Sequence, residues 1–158
     1  MNDNSNELKK IVKEHSEKLA KLGIELAKNQ FSYKVENKPS KEYWENRIDD
    51  FNKYNEKGMK YYNEIHSLMN IINREESQMF LLRISKFRQM GIVFMEIMNK
   101  IKENPTIMDS KNKQQSQWSK KIKDEIVEQS KKCLDFEMDM NSAFREFYDK
   151  KIKEILEK

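Results

Sequence analysis

The sequence predicts an all-α protein: an antiparallel bundle of about four long helices with coiled-coil-like packing, the C-terminal helix being the longest. Three observations predict it. First, apolar residues recur in alternating steps of four and three. One segment carries Trp44, Ile48, Phe51, Asn55, Gly58, Tyr62, Ile65, Met69 and Ile72, and another carries Phe80, Ile84, Phe87, Gly91, Phe94, Met98 and Ile101. Such spacing keeps one stripe of a helix against a neighbouring helix. Second, the 158 residues include only three Gly and two Pro, too few to supply the turns of a sheet. Third, the apolar and charged fractions are both 37% and the mean hydropathy is −1.00, as expected where each helix buries a single stripe. Disorder gives similar averages, but here the aromatic, Ile and Met residues are periodic rather than scattered. One domain over residues 1–158 is expected, a length that buries about 70% of the unfolded surface.

The first helix is expected at about 6–34, starting near Ser5 or Asn6 and reaching Tyr33. Its inner stripe is Leu8, Val12, His15, Leu19, Leu22 and Leu26. Pro39 ends the loop that follows by forcing Lys38 towards extended geometry, and Ser40 is placed to cap the second helix, about 41–72. Continuing the register of that helix would put Glu76 and Arg83 on the apolar stripe. The register instead restarts one residue later, at Phe80. Asn73 and Glu76 have the spacing of a capping box, which predicts a tight turn and a hairpin with a third helix at about 74–103. One long helix with a register skip is the alternative.

Asn104-Pro105 closes the third helix, and a polar, flexible loop is expected at about 104–117, tacked down by Ile107-Met108. A fourth helix, about 110–157, carries Trp118, Ile122, Ile126, Gln129, Cys133, Phe136, Met140, Phe144, Tyr148, Ile152 and Ile155 on its stripe. The steps lengthen to four from Phe136 to Ile152, a stutter that straightens a supercoil. From Trp118 to Leu156 it would measure about 58 Å against about 45 Å for the third helix. Either it overhangs the bundle or it breaks near Asn141-Ser142.

Composition and motifs bound function more than they specify it. The net charge is +4, from 31 basic and 27 acidic residues, which gives little support to a nucleic-acid partner. A single cysteine, Cys133, forms no intramolecular disulfide and fits a reducing compartment as a buried apolar residue. The N-terminus has neither a signal nor a transit pattern, and the longest apolar stretch, Met90 to Met95, is far short of a membrane span. An intracellular protein, soluble or peripherally associated with a membrane, is expected. Gly23, Gly58 and Gly91 are isolated, so there is no phosphate-binding loop. His15 and His66 lie on different helices with no Glu-x-x-His pair. No catalytic, cofactor or metal residue is predicted. His15 reads as a hydrogen-bonded core or interface residue, and Asn55 as either a register-setting polar residue or one beside a water.

What remains is binding. Tyr43, Tyr54 and Tyr61 widen the apolar face of the second helix beyond what one neighbour needs, so a second partner is expected there, within the bundle or on another chain. Between residues 83 and 102 of the third helix, Arg83, Lys86, Arg88, Lys100 and Lys102 oppose a single acid, Glu96. The Phe80, Phe87 and Val93 spacing resembles calmodulin-target helices, although those Phe residues already belong to the inner stripe. Seven lysines between Lys111 and Lys132, beside Trp118, resemble a basic-aromatic surface. The residues expected to meet a partner are therefore Trp44, Tyr54, Tyr61, Arg83, Lys86, Arg88 and Trp118. The function expected is a non-catalytic interaction or assembly protein, a subunit or scaffold of a larger complex or a homo-oligomer. The alternatives are a curvature-sensing module on an acidic membrane surface, analogous in architecture to BAR domains, and a basic helical nucleic-acid binder.

Overall fold

The computed structural model describes residues 2–35, 39–108 and 117–157. Four long helices carry the fold: α1 (Asn2–Ala27), α2 (Lys41–Ile72), α3 (Arg74–Glu103) and α4 (Gln117–Phe147). A 3-10 turn, Pro105–Met108, follows α3. A π-turn, Tyr148–Ile152, carries α4 into the short α5 (Lys153–Glu157) without interruption. Among the described residues there is no strand, and the chain is an all-α bundle in which each helix packs antiparallel to the next.

The hairpin between α2 and α3 turns on Asn73 alone, which takes an extended backbone between two helical residues. Its N–H donates to the Met69 carbonyl at 2.7 Å, closing α2, while its Oδ1 accepts from the Glu76 N–H at 3.1 Å, opening α3. One residue thus satisfies groups at two helix ends, its backbone N–H at the end of α2 and its side-chain oxygen at the start of α3. The one-long-helix alternative is excluded. Ser40 caps α2 in the same way, its Oγ accepting from Tyr43 N–H at 3.0 Å.

The predicted stripes of α2 and α3 are the buried ones. Phe51, Ile65, Phe80, Phe87, Phe94 and Ile101 are all within a percent of complete burial. They fall into two clusters along the bundle. One gathers around Tyr62, Ile65, Phe80, Phe87 and Met140, with Val12 and Leu19 of α1. The other gathers around Trp44, Phe51, Phe94, Ile101 and Ile122. Gly91 lies against Asn55 and Phe51, 3.6 and 3.7 Å from where a Cβ would sit, so a polar and an aromatic residue share the space it leaves.

Three expectations about the ends change. The first helix stops at Ala27 instead of about residue 34, and Lys28 N–H closes it on the Ile24 carbonyl at 3.2 Å. The chain then runs extended, so that Phe31, Tyr33 and Val35 turn inward while Ser32 and Lys34 face solvent. Burying three side chains on alternate residues needs an extended period of two, which a helix cannot supply. Phe31 lands on Phe51 and Phe94, at ring distances of 5.1 and 6.2 Å, and Arg47 stacks 4.4 Å above it.

The C-terminal end does not overhang and does not break at Asn141-Ser142. α1 begins at Asn2, far enough back to cover α5 with Leu8 and Val12. The π-turn handles the stutter. Phe147 and Ile152 are both buried although five residues apart, a spacing that an α-helix would splay around its surface. The Lys153 N–H reaches back to the Tyr148 carbonyl, and this wider winding brings both residues inward. Lys151 then pairs with Glu76 in the first turn of α3 at 2.6 Å. The polar segment after α3 is not all loop. Pro105–Met108 form the 3-10 turn and Ile107 is buried, while residues 109–116 lie outside the described residues.

Candidate functional site

The α1–α2, α2–α3 and α3–α4 seams are closely packed, with hollows of 330 Å³ beside α1–α2 and of 280 and 420 Å³ beside α3–α4, and the α1–α4 seam is the looser one. α1 packs along α2, α2 on α3 and α3 on α4, and α1 meets the C-terminal run again at α5. Between α1 and α4 the approach is looser and leaves two contiguous hollows of 380 and 240 Å³ that share Gly23 and Tyr61. On the α1 side the wall is built from small residues, Ser16, Ala20, Gly23 and Ala27. Ile24, on the same helical face as Ala20 and Ala27, is 60% exposed. On the α4 side Leu134 and Met138 line the larger hollow, and Met138 is 59% exposed.

The floor is aromatic and polar. Tyr54, Tyr61 and Tyr62 of α2 rise between the two walls, with Tyr61 and Tyr62 edge to face at 5.4 Å. Tyr62 donates to Asn141 Oδ1 at 3.0 Å, which fixes its ring. Beside them lies Glu137 of α4, only 7% exposed. Its Oε2 accepts a long hydrogen bond from the Tyr33 hydroxyl at 3.5 Å, and its Oε1 has no hydrogen-bond partner among the described residues. Burial pushes this carboxyl up to about 7, against the smaller lowering effect of the Tyr33 hydroxyl. Burial raises the Tyr33 and Tyr62 phenols further above their usual range, and it pushes the Cys133 thiol up to about 12. That thiol is an unreactive core group.

A second acid shows the opposite balance. Glu64 is buried where α1 crosses α2, and its desolvation pushes the carboxyl up. The hydrogen bonds from His15 at 2.5 Å and Lys18 at 3.2 Å, with their charges, outweigh that and hold it below the ordinary carboxylate range. His15 is the hydrogen-bonded structural histidine its stripe position predicts, and it fixes α1 against α2.

The structure scatters the predicted partner residues. Trp44 is completely buried between α2 and its neighbours, so it anchors the core and offers no accessible contact. Tyr54 and Tyr61 do meet a second neighbour, and it is the chain's own α1 and the Phe31–Val35 segment: Tyr61 lies 3.5 Å from the Cβ position of Gly23, and Tyr54 is 6.4 Å from the Phe31 ring. Arg83 is held by Asp139 of α4 at 2.9 Å, whereas Lys86 and Arg88 are exposed. The side chain of Trp118 lies outside the described residues. Phe80 and Phe87 are core, which removes the calmodulin-target spacing from the surface. Sequence reasoning missed Glu137, which sits one position from the stripe residue Phe136; Phe136 is only half-buried. The 4–3 continuation Cys133, Glu137, Met140 marks Glu137 as an inward position.

Among the described residues no three His, Cys, Asp or Glu side chains converge as a metal site, and no helix is long and apolar enough to cross a membrane. Compared with known proteins, the chain matches no family model, no curated protein and no solved structure.

Proposed function

We propose that this chain is a non-catalytic helical interaction protein, a subunit or scaffold that holds a helix of another protein in the α1–α4 groove. The observation that carries this reading is the open seam. A helix laid between α1 and α4 would bury Ile24, Leu134 and Met138, which the folded chain leaves in water. Ala20, Gly23 and Ala27 would let its backbone approach closely. Val127, 64% exposed, lies seven residues before Leu134 and extends the apolar edge along α4. Scattered exposed apolar residues are ordinary, but a row of them beside a hollow is the arrangement of helix-in-groove recognition.

The test separates the groove from the fold. Light scattering on the protein purified from its native host should give an assembly heavier than the 19.2 kDa chain. Met138→Glu should release the partner and leave stability within about 0.5 kcal/mol, because the residue is already exposed. A 19.2 kDa species in the native preparation, or a complex indifferent to Met138→Glu, contradicts the proposal.

A further inference from the structure

From the lining of the larger hollow we infer a binding site for an alkylated ammonium group, with Glu137 as its counter-ion and Tyr54, Tyr61 and Tyr62 as its aromatic walls. Three independent features converge there. The hollow measures 380 Å³, inside the range of about 300–1,000 Å³ typical of small-ligand sites. Its one acid is more than nine-tenths buried and keeps an oxygen without a partner among the described residues. Folded proteins rarely leave a buried carboxylate oxygen unmatched, and no cationic side chain lines the hollow to balance the charge this one carries when ionised. Three tyrosines surround the same space, and ring faces attract cations most when water is excluded.

The chemistry selects the kind of cation. Calcium and magnesium need six or more oxygen ligands and zinc about four N, S or carboxylate ligands, whereas this lining supplies one carboxylate, the Gln30 amide, tyrosine hydroxyls and an Asn141 oxygen already occupied by Tyr62. A primary ammonium carries three N–H donors that each need an acceptor. An alkylated ammonium has few or none to satisfy, holds its hydration weakly, and asks only for a nearby negative charge and polarisable walls. Leu134 and Leu26 give its methyl groups apolar contact. Its walls all belong to the isolated chain, so the site is open to a free ligand when the groove is empty and to a side chain of the docked helix when the groove is filled. The ammonium can therefore come from a free small molecule or from the methylated lysine side chain of a docked partner.

Charge linkage makes the site pH-dependent. The ionisable groups around Glu137 are Tyr33 from the extended segment, Tyr54, Tyr61 and Tyr62 from α2, and Cys133 from α4. Burial raises Tyr33, Tyr61, Tyr62 and Cys133, so these stay neutral near pH 7. α1 contributes only Gly23, Leu26 and Ala27, and α3 contributes Phe94 behind Tyr33. Glu137 alone then supplies the charge, and it supplies more of it above pH 7 than below.

Isothermal titration of the purified chain decides it. The probes are choline, an acetylated trimethyllysine amide, and the uncharged choline isostere in which a tert-butyl group replaces trimethylammonium. Choline or the trimethyllysine probe should bind at least about tenfold tighter than the isostere, and tighter at pH 8 than at pH 6. Glu137→Gln should abolish both the charge preference and the pH dependence, and Tyr61→Leu should weaken binding with the fold intact by circular dichroism. Preference for choline points to a free ligand and preference for trimethyllysine to a partner side chain; either supports the site. Equal binding of the isostere, or cation binding unchanged by Glu137→Gln in a folded variant, overturns it, as does no binding of any probe.

Discussion

Phe94→Ala is expected to destabilise the bundle by about 3–5 kcal/mol, the range for removing a buried aromatic side chain without full collapse of the cavity. Phe94 is 1% exposed and stands at the centre of an aromatic cluster, with its ring 5.1 Å from Phe51, 5.7 Å from Tyr33 and 6.2 Å from Phe31. Edge-to-face contacts of this kind add to the value of the buried area. A domain of this size has only about 5–15 kcal/mol in total, so the loss takes a large share. Phe94 is also what the extended Phe31–Val35 segment rests on. Truncating it should therefore loosen Tyr33 and, through Tyr33, the hydrogen bond to Glu137. Urea unfolding followed by circular dichroism measures the first effect. A loss below about 1 kcal/mol would mean that the cluster is not the packed centre of the bundle.

The second large effect belongs to Glu137. Its folded-state value of about 7 lies above the ordinary value of 4.5, so the folded protein holds this proton more tightly than the unfolded chain does. Its contribution to stability is therefore complete below about pH 4.5, falls as pH rises towards 7, and is lost above it. The gap corresponds to about 3 kcal/mol. Stability measured from pH 5 to pH 8 should decline in the wild type, and Glu137→Gln should remove most of that decline, being the more stable protein at pH 8. Other titrating groups are common to both chains and cancel in the difference. The lowered Glu64 works in the opposite sense, its stabilisation being lost only as pH falls below the ordinary carboxylate range, so the two do not overlap. Parallel curves for wild type and Glu137→Gln would show that the carboxyl is as well solvated folded as unfolded.

The helices were legible because burial of one stripe leaves a period in the sequence, and the period survives whatever the stripe packs against. Asn73 was legible for a local reason, since a cap and its partner lie three residues apart. The end of α1 was harder to read. Leu22 and Leu26 lead the helical stripe towards Phe31, yet Phe31, Tyr33 and Val35 also alternate, and only packing on Phe51 and Phe94 decides for the extended form. The broad tyrosine face of α2 was visible, but nothing in a sequence says that α1 rather than another molecule covers it. The groove was invisible for a related reason. It depends on how far α1 stands from α4, and no short-range pattern encodes a distance between helices remote in sequence. Glu137 was passed over because a carboxylate beside an apolar stripe ordinarily faces water. Here it is only 7% exposed, with the Tyr33 hydroxyl against it.

The claim that the α1–α4 groove is where this protein meets its partner can be tested directly in the native host by photo-crosslinking. A photoreactive residue at position 138 sits on the groove's edge, and one at position 85, an exposed serine of α3, sits away from it. Position 138 should capture one defined protein as a discrete adduct, and position 85 should capture little of it. Equal capture at both positions, or a discrete partner at 85 and none at 138, would place the recognition surface elsewhere on the bundle and contradict the account.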